Sequence, residues 1–185
     1  NKDVLIIGSG GSVVSHKDAI TQFIKKKNPI VLALNSKTII QEKLVDFRIA
    51  CHPLRIFSDA SKYSDLGSKL IIPDSILKKT GISLPKNLKT FDFGFSVKEK
   101  TFHFDKNHGV SPFPSVISYA LLVCASGKSN NVYLTGIDGY DTGDSRNVEL
   151  ELLFDLYHNL SFKPKLISIT DTRFKININS VYNLI

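Results

Sequence analysis

The stretch that decides the fold is Val4-Leu5-Ile6-Ile7-Gly8-Ser9-Gly10-Gly11-Ser12, near the start of the 185-residue chain. The run Val4–Ile7 consists of branched apolar residues and is typical of a buried β-strand. Gly8 to Ser12 predicts a tight turn, and a helical pattern follows from Ser15 to Lys27. A strand, a glycine-rich turn and a helix leave backbone N–H groups pointing at one spot, which favours binding of an anion such as a phosphate.

Apolar strand-like runs alternate with helical patterns along most of the chain. We predict strands at Val4–Ile7, Ile30–Leu34, Phe47–Ala50, Lys69–Ile72, Val132–Thr135 and Lys165–Ile169. We predict helices at Ser15–Lys27, Lys37–Leu44, Ser75–Lys79, Pro112–Ala125 and Asn147–Leu160, while residues 53–66 mix helical and loop patterns. This order predicts an α/β fold: one Rossmann-like domain over residues 1–185, with a mostly parallel sheet and helices on both faces.

Two segments depart from the simple alternation. Thr90–Val97 alternates apolar and polar residues, and Thr101–Asp105 repeats the pattern, which predicts an inserted antiparallel hairpin. Asn107–Ser111 is predicted to be a polar loop before the buried helix. The helix at 147–160 is predicted to bury one stripe and to leave His158 and Glu151 on its polar side. That stripe consists of Val148, Leu152, Leu153, Leu156 and Leu160.

Composition limits the class of protein. Hydrophobic residues make up 42% and charged residues 22%, which is ordinary for a globular domain. No apolar run reaches the ~18 residues of a transmembrane segment, and no signal peptide is visible, so we expect a cytoplasmic protein. The net charge is +7, but the lysines are scattered without an aromatic ladder, so we expect no nucleic-acid partner.

Other sequence features concern redox state and completeness. Cys51 and Cys124 are isolated, which predicts free thiols in a reducing compartment rather than a disulfide or zinc site. No His, Cys and Asp cluster has metal-ligand spacing, so we expect no metal and no cofactor. A chain that starts at Asn1 and contains no Met predicts a piece of a longer protein, with an upstream domain covalently linked to it.

Ligands of parallel α/β sheets bind beyond the carboxyl ends of the strands. Residues at such ends, and those before the buried helix, are therefore our candidates for binding a nucleotide or its phosphate: Gly8, Ser9, Gly10, Gly11, Ser12, Asn35, Ser36, Gly109 and Ser111. The glycine turn lacks the lysine of a P-loop and the full dinucleotide fingerprint, which disfavours both of those sites. The alternatives are a turn without a ligand, an Asx turn at Asn35 and a plain helix cap before the buried helix.

The catalytic candidates are Asp138, Tyr140 and His108. Asp138 follows a predicted strand, where its carboxylate can accept a hydrogen bond from a sugar hydroxyl. The alternative is an aspartate that accepts hydrogen bonds from backbone N–H groups. His52 also follows a strand, but neither His52 nor His108 has an orienting carboxylate nearby in the sequence.

The same residues resemble a known family. Ile7–Ser12, the strand end Leu34-Asn35, the turn His108–Ser111 and the segment Val132–Asp138 are similar to motifs of bacterial lipo-oligosaccharide sialyltransferases. They also resemble the related domain of motility-associated, flagellin-modifying glycosyltransferases. The resemblance implies that the glycine turn, Asn35 and Ser111 contact a cytidine nucleotide-sugar, with Asp138 and Tyr140 near its sugar. It implies glycosyl transfer from a CMP-sugar in the synthesis of surface polysaccharide.

One departure from that family leaves a second class open. The sialyltransferases carry a catalytic histidine on a lid after the Gly-x-Asp strand, whereas here that segment leads almost directly into the helix at Asn147. The chain also resembles the C-terminal module that follows aldolase-type barrels, such as those like 4-hydroxy-2-oxovalerate aldolase, in polysaccharide biosynthesis proteins. The alternative is therefore a non-catalytic accessory domain of an aldolase or lyase. A pterin or nucleotide pyrophosphokinase is a third option, but only Asp138 is placed to hold its metal.

Overall fold

Buried apolar runs form the strands of the protein. The computed structural model describes residues 2–81 and 83–185. The strands are β1 (Val4–Ile7), β2 (Ile30–Leu34), β3 (Phe47–Ile49), β4 (Lys69–Ile72), β5 (Thr90–Asp92), β6 (Gly94–Val97), β7 (His103–Phe104), β8 (His108–Ser111), β9 (Asn131–Thr135), β10 (Lys165–Ser168) and β11 (Asn177–Ile178). The α-helices are α1 (Gly11–Ser15), α2 (Lys17–Lys27), α3 (Pro53–Ser58), α4 (Ala60–Leu66), α5 (Asp74–Lys79), α6 (Val116–Ser126) and α7 (Ser145–His158).

Eight strands form one parallel sheet in the order β11-β10-β9-β1-β2-β3-β4-β5. At its centre, Ile6 of β1 lies in register with Leu32 of β2 and with Leu134 of β9. All four residues of β1 are buried, because helices cover both faces of the sheet. The predicted α/β, Rossmann-like fold is thereby confirmed.

Alternate residues of β1 belong to two different cores. Val4 and Ile6 pack in the cluster that contains α6 and α7, including Leu121 and Leu153. Leu5 and Ile7 pack in the cluster that contains Phe23 of α2. Because successive side chains of a strand point to opposite faces, this division places α6 and α7 on one face of the sheet and α2 on the other.

The middle segment differs from the predicted hairpin. Residues 90–97 split into β5, which extends the large sheet, and β6, which pairs in parallel with β8. The antiparallel hairpin joins β7 to β8 instead, so much of the predicted loop Asn107–Ser111 is strand. The split follows from burial: Phe93 and Phe95 pack against Tyr119 of α6, whose hydroxyl donates to the Phe93 carbonyl oxygen at 2.6 Å.

Several helix boundaries also differ from the predictions. The first helical segment begins at Gly11 rather than Ser15, because the chain enters α1 directly from Gly10 and bends at His16 into α2. Only a short 3-10 turn, Glu42–Leu44, forms within the predicted helix at 37–44. The ambiguous residues 53–66 form α3 and α4, and the irregular tail adds β11 and a 3-10 turn at Val181–Asn183.

The buried face of α7 matches the predicted stripe only in part, because Leu153 is buried and Leu156 and Leu160 pack against the same core. Val148 is 67% exposed and Leu152 is 40% exposed, whereas Leu153 is fully buried. The residues of α7 that are buried are Asn147, Leu150, Leu153, Phe154 and Tyr157. The apolar members of this set are spaced i, i+3, i+4 and i+7, and the Asn147 amide on the same face binds the loop after β9, as described below. His158 and Glu151 are exposed, as predicted.

Both cysteines are buried free thiols, as the sequence predicts. Within residues 2–81 and 83–185, none of the helices combines the length and the apolar character that crossing a membrane requires.

We predict that Leu153→Ala lowers the free energy of unfolding by about 2–5 kcal/mol, because it opens a cavity in the core between α7 and the sheet. The matched control is Leu152→Ala, one residue away on the exposed face, with an expected loss below about 1 kcal/mol. Urea denaturation of both variants measures the difference. Equal losses would contradict the observed orientation of α7.

Candidate functional site

A cavity of about 680 Å³ lies beyond the carboxyl ends of β1, β2 and β9. Seven residues predicted from the sequence line it: Gly8, Ser9, Gly10, Asn35, Ser36, Asp138 and Tyr140. They converge because the carboxyl ends of neighbouring parallel strands meet at one edge of the sheet. Three residues at the start of α6, Ser115–Ile117, also line it.

The glycine turn is held against the loop that follows β9. The Gly8 N–H donates to the Thr135 carbonyl oxygen at 2.8 Å, and the Gly10 N–H donates to that of Gly136 at 2.9 Å. A Cβ atom on Gly8 would lie 2.3 Å from the Gly136 carbonyl oxygen. A Cβ atom on Gly10 would lie 2.5 Å from the carboxyl carbon of Asp138. The close approach of the two loops therefore requires both glycines.

Asp138 binds the start of α1. Its carboxylate accepts from the Ser12 N–H at 2.8 Å and from the Ser12 hydroxyl at 2.5 Å. This arrangement matches the alternative of an aspartate that accepts from backbone N–H groups, with the donor N–H supplied by Ser12 of α1. The first turn of this five-residue helix thus already carries an anion supplied by the protein.

Few N–H donors of the turn remain free. Within the described chain, the backbone N–H groups of Ser9 and Gly11 have no hydrogen-bond partner. Ser9 is exposed and lines the cavity, whereas Gly11 and Ser12 line neither this cavity nor the next. Of the predicted phosphate-binding N–H groups, only that of Ser9 is both free and at the cavity among the described residues, and the Asp138 carboxylate lines the same cavity.

Asn35 has a left-handed backbone, with φ of 58°. Its carbonyl oxygen accepts from Nη1 of Arg48 at 2.9 Å, and its N–H donates to the Ile49 carbonyl oxygen at 2.9 Å. Arg48 is only 1% exposed, and its guanidinium also binds both carboxylate oxygens of Glu42. A buried ion pair thus fixes the end of β2 and leaves the Asn35 side chain at the cavity.

Ser36 belongs to a network on the same wall. Its hydroxyl donates to Asp59 at 2.6 Å, and the Lys62 ammonium donates to the other oxygen of that carboxylate at 2.6 Å. The hydrogen bonds from Lys62 and Ser36 hold the pKa of Asp59 below its usual value. The charge of Lys62 is therefore already compensated within the protein.

A second cavity of about 610 Å³ adjoins the first. The two share seven lining residues, namely Asn35, Arg55, Ser58, Ser115, Val116, Tyr140 and Leu150, so they form one continuous cleft. The second cavity adds Cys51, His52, Leu54, Pro114, Arg146 and Glu149.

The thiol of Cys51 does not fit a nucleophile's role in this second cavity. Cys51 is 4% exposed, and burial raises the pKa of its thiol to about 12. Since the thiolate is the reactive form, this cysteine is inert at neutral pH.

Side chains from α7 and the tail fix the loop that contains Tyr140. The Asn147 amide accepts from the Tyr140 N–H at 2.9 Å and donates to the Tyr140 carbonyl oxygen at 3.2 Å. Nη1 of Arg173 donates to the same oxygen at 2.8 Å. The Arg146 guanidinium lies 3.8 Å from the centre of the Tyr140 ring and also binds Asp144. The sequence did not predict these contacts. Arg173 lies far from Tyr140 along the chain, and Arg146 and Asn147 belong to no recognisable motif.

Three predicted residues before the buried helix lie outside the cleft: His108, Gly109 and Ser111 line neither cavity. All three are in β8, beneath α6. The Ser111 hydroxyl is buried beside that of Ser118 at 2.7 Å, and a Cβ atom on Gly109 would lie 2.7 Å from Leu122. Their observed role is to pack β8 against α6.

The sequence analysis did not single out the cations of the cleft. Lys37, Arg55 and Lys62 line the first cavity. In the described part of the chain, the ammonium of Lys37 and the guanidinium of Arg55 take part in no ion pair or hydrogen bond. Lys37 directly follows Asn35-Ser36, and Arg55 lies two residues after Pro53, so both follow the end of a strand, which is the signal that could have identified them.

Among residues 2–81 and 83–185, no group of three or more His, Cys, Asp or Glu side chains is placed to hold a metal ion. Comparison of the chain with known protein families, curated proteins and solved structures finds no match. The class that the fold itself defines is a Rossmann-like α/β domain with a cleft at the carboxyl edge of its sheet.

We predict that Gly8→Ala lowers the free energy of unfolding by about 1–3 kcal/mol, because the added methyl group overlaps the backbone of Gly136. The matched control is Gly11→Ala, where a Cβ atom meets nothing within 4 Å and helical propensity improves. Chemical denaturation of both variants measures the effect. If the two substitutions have equal effects, the close contact between the loops is absent in solution.

Proposed function

We propose that the cleft binds a cytidine-type nucleotide-sugar and that the protein is a sialyltransferase-like glycosyltransferase domain of bacterial surface-polysaccharide synthesis. The observation that carries this proposal is the two-part cleft at the carboxyl ends of β1, β2 and β9. Cavities of about 680 and 610 Å³ lie in the ordinary size range of small-molecule sites. Two connected compartments suit a donor nucleotide-sugar and an acceptor.

The polar groups of the first cavity support a nucleotide ligand. Asn35 and Ser36 supply amide and hydroxyl groups of the kind that recognise a base and a ribose. The charged residues there are Lys37, Arg55, Lys62, Asp59 and Asp138, so three cations face two anions. A net charge of +1 favours an anionic ligand.

Transfer also needs a group that accepts the proton of the acceptor hydroxyl. Asp138 is committed to Ser12, and the Tyr140 ring is stacked against the Arg146 guanidinium. His52 is the one histidine of the described residues that lines the cleft. In our proposal the acceptor oxygen attacks the anomeric carbon, the bond to the CMP oxygen breaks, and His52 takes the hydroxyl proton.

The short connection between β9 and α7 favours a second candidate. Helix α7 begins at Ser145, so the segment 139–144 is too short for a lid and contains no histidine. A domain that binds a nucleotide-sugar or sugar phosphate without transferring it would need no lid. The second candidate is therefore a non-catalytic module joined to an aldolase-type enzyme.

We predict that CMP and CDP raise the melting temperature more than UDP or GDP does, because ligands that bind only the folded state stabilise it. Asn35→Gly should abolish the rise without backbone strain, since glycine adopts the left-handed conformation of this residue. The matched control is Asn28→Gly, the left-handed C-cap of α2, which lies outside the cleft and should keep the rise. Thermal unfolding monitored by fluorescence measures these shifts.

The outcomes separate the candidates. If none of the four nucleotides shifts the melting temperature, nucleotide binding is wrong. If CMP binds and a CMP-linked acidic sugar is turned over by the wild type but not by His52→Asn, the transferase is supported. If CMP binds and the wild type turns over no such sugar, the non-catalytic module is supported instead.

A further inference from the structure

The distribution of charge within the cleft indicates where the anionic part of a ligand lies. On the β1 and β9 side, the N–H groups of Gly8 and Gly10 already donate to carbonyl oxygens, and Ser12 is bound to Asp138. An anion over the turn would gain the Ser9 amide and would lie close to the Asp138 carboxylate, because a Cβ atom on Gly10 would be only 2.6 Å from either of its oxygens. Like charges at such distances repel strongly.

The opposite side of the cleft presents free cations. Arg55 projects from α3, directly after β3, and is the only charged residue among the described residues that lines both cavities. Lys37 follows β2 and also lines the first cavity. Both side chains are exposed, and within the described residues neither charged group takes part in a hydrogen bond or an ion pair.

The remaining charged groups of the cleft are committed elsewhere. Lys62 is paired with Asp59, and Arg146 is paired with Asp144 and stacked on Tyr140. Glu149 lines the second cavity and disfavours an anion there. A guanidinium without a protein partner, at the junction of two cavities, is suited to bidentate binding of phosphate oxygens.

We propose that the phosphate of the ligand binds to Arg55 and Lys37, on the β2 and β3 side of the cleft, and not to the glycine turn. This inference rests on the proposed function and deepens it. The phosphate then lies where the two cavities meet, with the nucleoside in the first. In this orientation an uncharged, hydroxyl-bearing part of the ligand faces the glycine turn and Asp138.

The experiment compares cytidine, CMP and inorganic pyrophosphate by isothermal titration calorimetry with the wild type and three variants. In Arg55→Gln the affinity for CMP should fall by about tenfold or more, since a charge-assisted contact is lost, while that for cytidine should stay within about twofold. Lys37→Gln should weaken CMP binding in the same direction. Lys25→Gln removes one positive charge from the last turn of α2, outside the cleft, and should leave both affinities unchanged.

The three ligands distinguish failure of this inference from failure of the proposed function. If the wild type binds CMP and Arg55→Gln keeps the wild-type ratio of CMP to cytidine affinity, the placement of the phosphate is wrong and nucleotide binding stands. If the wild type binds pyrophosphate but neither nucleotide nor nucleoside, and Arg55→Gln loses pyrophosphate, the anion site stands and the proposed function is wrong. Absence of binding by all three ligands overturns both.

Discussion

The contact between Asp138 and Ser12 is the interaction on which the cleft depends. It joins the loop after β9 to the start of α1, across 126 positions of sequence, with two hydrogen bonds to one carboxylate. The same packing of the two loops brings Gly8 into contact with Gly136, so a residue with a side chain does not fit at position 8. A glycine-rich turn that resembles a phosphate cradle is thus explained largely by the packing of one loop on another. Gly8, Gly10 and Asp138, which lie at this contact, also line the cleft.

The two walls of the cleft are built by different means. The β1 and β9 wall is a close contact between backbones, stabilised by hydrogen bonds and by a carboxylate at a helix start. The β2 and β3 wall is supported by the ion pair between the buried Arg48 and the part-exposed Glu42, and Arg48 also binds the carbonyl oxygen of the left-handed Asn35. Removing Glu42 would leave the buried Arg48 guanidinium without its counter-charge, so this second support is costly to alter. Both walls are therefore held by contacts within the protein, whereas the Arg55 side chain is exposed.

The sequence predicted the parts of the structure that local patterns determine. β1 and β2 are continuous apolar runs, β9 is largely apolar, and seven of the candidate residues at the ends of these strands line the cleft. It failed where the local pattern was ambiguous or where distant contacts decide the structure. The buried apolar residues of α7, which are Leu150, Leu153, Phe154 and Tyr157, follow helical spacing, but Leu152 and Leu156 fit a second, overlapping stripe. The strand at 108–111 was missed because its pairing with β6 and its packing under α6 are tertiary effects.

The same distinction bears on what the glycine-rich turn alone can predict. A glycine-rich turn indicates that some group approaches the backbone closely, but it does not indicate whether that group is a ligand or the protein itself. Here Asp138 is that group, while the charged groups of Arg55 and Lys37 take part in no ion pair or hydrogen bond within the described residues. In our proposal the ligand has separate charged and uncharged ends, as a sugar linked to a nucleoside phosphate does, and such a ligand is complementary to this distribution of charge. The proposed orientation, with the phosphate away from the turn, is the reverse of the one that the glycine motif favours.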